Sequence, residues 1–442
     1  MSLTTLARKI NRPHSNGSMN KLQPKDQPVH DWYRFVLSFP PHLVDEYVKR
    51  FGLQDSQTLL DPFCGTGTTI VEAKMLGIPS IGIEAHPMSY FASQVKVDWG
   101  ISPDGLLEHA GEVAELATKK LEADGIEDEP FFHLNSSRRL KLRKLELEKT
   151  KLLLKDSISP LPLHKTLVLI EALNQKHREP YYRHECLALA KALVFSISNL
   201  RFGPEVGIGK LRSDTPVISA WLAEVKKIVH DLKNLQHYKG TKAVAYLADS
   251  RQLARLLKPN TIDAVITSPP YPNEKDYTRT TRLESVLLGF INTHAELQSL
   301  KRSLVRSNTR TVYKDDDDDQ WVANHPEIQR IAADIERRRV ALGKTSGFER
   351  MYARVTKLYF GGMSRHLAEL RQILKPGAQL AYVVGDQASY LRVMIRTGQL
   401  LADIAQSLGY ELVGIDLFRT RLATATREQL REEVVVLSWP GK

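Results

Sequence analysis

The stretch DAVITSPPYPNEKDY, residues 263–277, starts as a strand and ends as a corner. Asp263 to Thr267 reads as a buried strand, and Ser268-Pro269-Pro270-Tyr271 follows without a break. Neither proline has an N–H to donate and both fix φ, so strand pairing ends here. The sequence therefore presents a rigid, carbonyl-rich corner with an aromatic ring beside it, straight after a buried strand.

On both sides of this corner the pattern alternates. Thr58–Leu60 and Ser80–Ile83 read as strands, Thr68–Leu76 and Pro87–Lys96 as helices, and His42–Phe51 as a helix with its apolar face at Leu43, Val44, Tyr47 and Val48. Val244–Leu247 and Asp263–Thr267 resume the strands. Gly361–Leu374 and Gly398–Leu408 are expected helices, Gln379–Val384 a further strand, and Glu411–Leu417 with Glu433–Leu437 a closing antiparallel hairpin. Such alternation predicts a parallel sheet built from βαβ units. Two tracts break it. Residues 101–240 read as a helical insertion, with a charge-rich helix over Ser137–Lys155, another over His184–Asn199, and a Gly/Pro break at RFGPEVGIGK (201–210). Residues 278–354 form a charged insertion carrying KDDDDDQ (314–320) and RRR (337–339). The expected organisation is a flexible arm (1–27), a cofactor half (28–100), the first insertion (101–240), a catalytic segment (241–277), the second insertion (278–354) and a closing part of the main domain (355–442).

A chain of 442 residues, 42% of them hydrophobic, can build a large core. The N-terminal residues are basic but lack the apolar run of a signal peptide, and no apolar run reaches membrane-span length. Cys64 and Cys186 are the only cysteines. This argues against a disulfide framework or zinc site and suits a reducing cytoplasm. The fourteen histidines show no HExxH or other metal spacing, and His30, His42 and His86 are read as structural. A net charge of +11 favours a polyanionic partner.

LLDPFCGTGTTIVEA (59–73) is a strand, a tight turn and a helix start. Gly65 and Gly67 would let backbone approach a ligand, and a helix N-terminus favours an anionic group. No Gly-Lys-Ser/Thr follows, so this is no Walker loop, and the third glycine of the dinucleotide fingerprint is missing. Glu84 in IGIEAHP ends the next strand about 20 positions on, where a carboxylate can accept from ribose hydroxyls or merely cap a helix. Asp249 in YLADSRQL could bind an amino group or cap the following helix.

Taken in order, DPFCGTGT, IEAHP, ADSRQL and TSPPY resemble the S-adenosylmethionine-dependent amino-methyltransferases that modify exocyclic amines of DNA bases. HDWYRFVLSFPPHL (30–43) resembles the segment that folds over the methionine end of the cofactor in that family, and LKPGAQLAYVVGD and REEVVVLSW resemble its later strands. The resemblance covers about half the chain and leaves both insertions unexplained. It implies a Rossmann-like α/β fold with a mostly parallel seven-stranded sheet, a terminal antiparallel hairpin and two largely helical insertions. The cofactor set it implies is Phe39, Pro40, Asp61, Pro62, Phe63, Gly65, Thr66, Gly67, Thr68, Glu84, Ala85, Asp249 and Ser250. Ser268, Pro269, Pro270 and Tyr271 are the implied catalytic residues. An exocyclic amine is a poor nucleophile because its lone pair is delocalised into the ring. The Pro269 carbonyl and Ser268 hydroxyl can accept its hydrogens, and Tyr271 can stack on an extruded base.

Serine at the first position of this tetrapeptide is associated in the family with cytosine N4, and Asp or Asn with adenine N6. The expected activity is thus N4-cytosine methylation of double-stranded DNA in restriction–modification or host protection, with a cognate restriction endonuclease as partner. The alternatives are adenine N6 in DNA, guanine N2 in RNA, or a non-catalytic nucleic-acid binder on the same scaffold. RNA relatives carry a separate N-terminal domain, for which the arm before Trp32 is expected to leave no space. Here the cofactor half comes first, in contrast to many relatives with SPPY, and only about 20 residues separate Asp249 from Ser268. Target recognition is therefore expected from the insertions, with Arg138, Arg139 and Arg143 of the first and Arg279 and Arg282 of the second as phosphate contacts, helped by Lys141, Lys144, Lys301, Arg302, Arg306 and Arg310. The Asp315–Asp319 run would repel DNA and is expected away from the groove or in a mobile loop.

Overall fold

A computed structural model describes residues 22–34, 38–129, 141–202, 205–273, 275–422 and 429–441, so most of the arm expected over 1–27 lies outside the described residues. The strands are β1 (Leu59–Asp61), β2 (Ser80–Glu84), β3 (Leu200–Phe202), β4 (Val206–Ile208), β5 (Ala243–Leu247), β6 (Ile262–Thr267), β7 (Leu374–Gly385), β8 (Glu411–Leu422) and β9 (Gln429–Trp439). Seven form one sheet in the order β5-β2-β1-β6-β7-β9-β8, and β3 pairs with β4 as a separate two-stranded ribbon. The five strands from β5 to β7 run parallel; β9 is antiparallel to β7 and β8 to β9. The mostly parallel sheet with a terminal antiparallel hairpin is thus as expected.

The central strands are apolar on both faces because helices cover both. Leu60, Val265, Leu380 and Tyr382 pack with Phe360, Met363 and Leu367 of helix Tyr352–Leu370 and with Leu400, Leu401 and Ile404 of helix Thr397–Ser407. Their neighbours in sequence, Leu59, Ala264, Ile266, Ala381 and Val383, point the other way onto Leu43, Val44, Tyr47 and Val48 of helix Pro41–Phe51. That helix begins with proline at its first position and ends on Gly52 at φ 64°, the N- and C-terminal signals its sequence carries.

The first insertion packs its long helices Pro103–Ala123, Pro160–Gln175, Tyr182–Ala192 and Ile218–Leu235 into a separate apolar cluster around Trp221 and Leu187. Trp32 joins this cluster, and both its indole N–H and the Val29 N–H donate to Asp231, at 2.8 and 2.9 Å. The long helix expected over 137–155 shrinks to Leu147–Leu152, with residues 137–140 outside the described set. Residues 141–146 are non-helical: Leu142 and Leu145 face the cluster, and the Arg143 N–H donates to His164 Nδ1 at 3.0 Å. The helix expected to end at Asn199 leaves α geometry after Ala192 and widens into a π turn over Leu193–Ile197. The Gly/Pro break then folds as the β3–β4 ribbon, an element the sequence pattern does not announce.

The second insertion brings the larger correction. Its acidic run is docked, not mobile. Asp315 pairs with Arg302 at 2.5 Å, Asp316 with Arg306 at 2.6 Å, and Asp318 with Arg251 and Arg365 at 2.5 and 3.2 Å. Helix Tyr352–Leu370 approaches this run so closely that a Cβ on Gly361 would lie 1.8 Å from the Asp318 carbonyl oxygen, so only glycine fits.

Candidate active site

Every sheet-end motif meets at one edge. β1, β2, β5, β6 and β7 are parallel, and the segment beyond each carboxyl end lines a cavity of about 500 Å³. The chain runs outward from β1 to β2 and β5 on one side and through β6 to β7 on the other, so the cavity opens at the point where strand order reverses.

On the β1–β2–β5 side, Gly65 sits at φ 53° and its N–H donates to Glu84 Oε2 at 2.8 Å. The His86 N–H donates to Glu84 Oε1 at 2.7 Å. Glu84 faces the cavity, yet burial pushes its carboxyl up to about 7 despite these two N–H donors. Asp249 caps the short helix Ser250–Arg255 through the Arg251 N–H and is held by the Arg251 guanidinium at 2.7 Å, while still lining the cavity. Capping does not exclude ligand binding at this residue, because a carboxylate offers about four lone-pair sites. Phe63 lines the wall with its ring set edge-on to His366 at 4.7 Å.

Phe39, Pro62, Thr66, Thr68, Ala85 and Ser250 line the same cavity, and Pro40, Asp61 and Gly67 do not. Pro40 is buried as the cap of helix Pro41–Phe51. Asp61 is fully buried beneath the turn, accepting from Thr267 Oγ1 at 2.5 Å and from the Phe63 N–H at 3.0 Å, and burial pushes its carboxyl up to about 6. Gly67 has φ 90°, and a Cβ there would meet Ser93 at 3.1 Å. Its glycine is required by the turn and by helix packing, so the expected close backbone approach belongs to Gly65 alone. Cys64 packs against Gly82, and burial pushes its thiol up, which keeps it protonated.

On the β6–β7 side the corner is held tightly. The Ser268 hydroxyl donates to the Val383 carbonyl at 3.1 Å, which turns the oxygen's lone pairs away from β7. Tyr271 lies against β7 so closely that a Cβ on Gly385 would be 3.0 Å from its ring. Ser268, Pro269, Pro270 and Tyr271 all line the cavity. Burial pushes the Tyr271 phenol up, so it stays neutral.

Several cavity residues carry no sequence signal. Ser303–Val305, Ser307, Asn308 and Thr311 come from the second insertion, Glu205 from the β3–β4 ribbon, Gln387 and Ser389 from the turn after β7, and Arg419, Arg421 and Glu432 from the hairpin. His86 also lines it; burial pushes its imidazole down to about 4, so it is neutral, with Nε2 3.0 Å from Thr281 Oγ1. Of the expected phosphate contacts, Arg138 and Arg139 lie outside the described residues. Arg143 is ion-paired with Glu171. Arg282 donates inward to the Thr278 carbonyl and hydroxyl and to the Leu152 carbonyl, at 2.9, 3.1 and 3.2 Å. Arg279 is half-buried, with its Nε out of reach of solvent. Lys301 pairs with Asp276 at 3.1 Å, and Arg306 is buried with Asp316. Arg143, Arg282, Lys301 and Arg306 thus brace the insertions, each held by an acid or carbonyl of its own chain.

A carboxylate at the tip of β2, a second just beyond β5, an apolar ring just beyond β1 and a rigid acceptor corner beyond β6 share one cavity at the switch point of a Rossmann-like sheet. Similarity to known proteins narrows the reading of this cavity. Residues 9–93 match the sequence model of the N6_N4_Mtase family, described as DNA methylase. The chain is 28% identical over 430 residues to the Type II methyltransferase M.BsoBI of Geobacillus stearothermophilus, covering 91% of this chain and 83% of that one. It is 22% identical over 463 residues to the Type II methyltransferase M.AvaI of Nostoc sp., covering 94% and 87%. A looser overlap, at 12% identity and a TM-score of 0.28 over 93% of this chain and 52% of the other, is found with the crystal structure of TrmN from Thermus thermophilus and has no weight for the fold. The chain is thus similar to Type II methyltransferases over nine tenths of its length, and to the DNA methylase family model over residues 9–93.

Proposed function

We propose that the protein methylates the exocyclic N4 amine of a cytosine turned out of double-stranded DNA, as the methyltransferase of a Type II restriction–modification pair. The observation that carries the reading is the Ser268–Tyr271 corner. Ser268 gives its proton to the Val383 carbonyl, which leaves its oxygen as an acceptor. An acceptor is what an amine needs: holding the N–H hydrogens draws electron density onto nitrogen before attack. The Tyr271 ring, fixed against Gly385, offers a stacking face for the base. DNA as substrate is supported by the Type II relatives, and cytosine over adenine N6 by serine at the first corner position.

The donor set fits S-adenosylmethionine. Glu84 and Asp249 face the cavity from adjacent strand tips, suited to ribose hydroxyls and an amino group, and Phe63 supplies an apolar wall for a flat ring. When bound, S-adenosylmethionine supplies the electrophilic methyl group. Phe39, Gly65, Thr66, Glu84 and Asp249 would hold it, and the corner beyond β6 would hold the amine.

Single-turnover transfer to DNA at saturating cofactor tests this. Ser268→Ala should slow transfer by roughly a hundredfold, the usual loss for one positioned hydrogen bond at a reacting centre, with unchanged cofactor affinity. A wild-type rate in this variant would reduce the corner to a turn.

A further inference from the structure

Val383, Gly385 and Gln387 lie two residues apart along the end of β7 and just beyond it. The first accepts the Ser268 hydroxyl bond, and the second lies beneath the Tyr271 ring. Gln387 is the next member of that series and lines the same cavity. Its backbone is fixed: its N–H donates to the Ile395 carbonyl at 3.0 Å and its carbonyl accepts from the Ile395 N–H at 2.7 Å. The preceding Asp386 is anchored by Arg396 at 2.5 Å and by the Arg431 N–H at 3.2 Å. Gln387 is 3% exposed. Its Oε1 accepts from Ser389 Oγ at 3.4 Å, while its Nε2 is buried with no acceptor among the described residues.

A buried amide donor without an acceptor is costly, and a native fold that holds one rigidly against a cavity implies that a ligand completes it. Sheet order says which ligand. β7 flanks β6 on the side away from β1, β2 and β5, whose ends carry Phe63, Glu84 and Asp249. Gln387 therefore lies across the Ser268–Tyr271 corner from the cofactor residues, on the side left for the base.

We propose that Gln387 is a specificity-determining residue that donates its amide hydrogen to the ring nitrogen adjacent to the exocyclic amine of the extruded base. The proposal rests on the function given above. Cytosine N3 and adenine N1 both present a lone pair beside the amine, whereas thymine N3 and guanine N1 carry a hydrogen. One donor next to the acceptors of the corner thus reads an acceptor–amine edge and repels an N–H edge. It also fixes the in-plane rotation of a base that Tyr271 holds only by its face.

The test compares wild type with Gln387→Leu, Gln387→Glu and Gln387→Asn, using unmethylated bacterial genomic DNA and labelled S-adenosylmethionine in single turnover. Cofactor affinity by calorimetry and the thermal midpoint are measured alongside. Transfer should fall roughly tenfold to a hundredfold in Gln387→Leu. Gln387→Glu, nearly the same shape but with acceptors in place of the donor, should fall at least as far. Gln387→Asn, which keeps the amide, should retain more activity than either, and cofactor affinity should stay at its wild-type value in all three variants. Wild-type rates in both Leu and Glu variants would overturn the proposal. So would a loss of cofactor affinity that matches the loss of rate, which would put Gln387 in the cofactor site. If wild-type protein itself labels no exocyclic amine, the underlying function fails first, and the two failures are told apart by that control.

Discussion

The Glu84 carboxylate accepts two backbone N–H bonds, faces the cavity, and is pushed up to about 7 by burial. Ribose hydroxyls donate to a carboxylate and gain less from a carboxylic acid, so ligand binding favours the deprotonated form. S-adenosylmethionine affinity should therefore rise with pH up to about 7 and level off above it, and Glu84→Gln should flatten the profile; calorimetry from about pH 5.5 to 8.5 reads both. A flat wild-type profile would remove Glu84 from the ligand contacts. Gly67 makes the opposite kind of prediction. Its φ of 90° and the Ser93 contact at 3.1 Å mean that a Cβ there is strained. Gly67→Ala should destabilise the fold by about 1–2 kcal/mol, the cost of a left-handed non-glycine residue, read in urea denaturation. The paired glycines look equivalent in the string GTGT. They differ because one turns toward the cavity and the other toward a helix, which no local pattern encodes.

At the scale of elements, the buried trio Asp249–Arg251–Asp318 joins the end of β5 to the second insertion. Asp318→Ala removes one of the two acids that hold Arg251, which stays paired with Asp249, so the variant should cost about 1–3 kcal/mol of stability. Because Arg251 also holds Asp249, cofactor affinity should drop in the same variant, although Asp318 does not line the cavity. Unchanged affinity would show that Asp249 holds its position without the insertion. The βαβ elements are legible in the sequence because each carries its own period and its own punctuation: the helix expected over Pro87–Lys96 starts at that proline and ends at Lys96. The acidic run misleads because five aspartates in a row look like a solvated loop; Arg251 and Arg365 are distant in sequence, and the nearer Arg302 and Arg306 read as phosphate contacts. Residues 141–146 mislead for a related reason. Leu142 and Leu145 have helical spacing, but His164 captures the Arg143 N–H and Glu171 its guanidinium.

For the molecule as a whole, the net charge of +11 favours a polyanionic partner, and two of its cations stand at the cavity. Lys275 and Arg421 both line the cavity, and the Arg421 side chain is 43% exposed. DNA affinity should fall steeply with salt, and Lys275→Ala with Arg421→Ala should lower the slope of log K against log salt by roughly 0.9 for each phosphate left without its cation. A slope unchanged by the double variant would move the DNA path away from the hairpin. The motifs at the carboxyl ends of β1, β2, β5 and β6 are readable from sequence. The rest of the cavity wall is not, since it is assembled from the ribbon, the second insertion and the hairpin, which lie far apart along the chain. Everything proposed for this cavity turns on the product it makes. The most direct measurement is to incubate the protein with labelled S-adenosylmethionine and unmethylated genomic DNA, digest the DNA to nucleosides and identify the labelled species. The expected result is label in N4-methylcytosine; label in N6-methyladenine would contradict the choice of base, and no labelled nucleoside would contradict the activity itself.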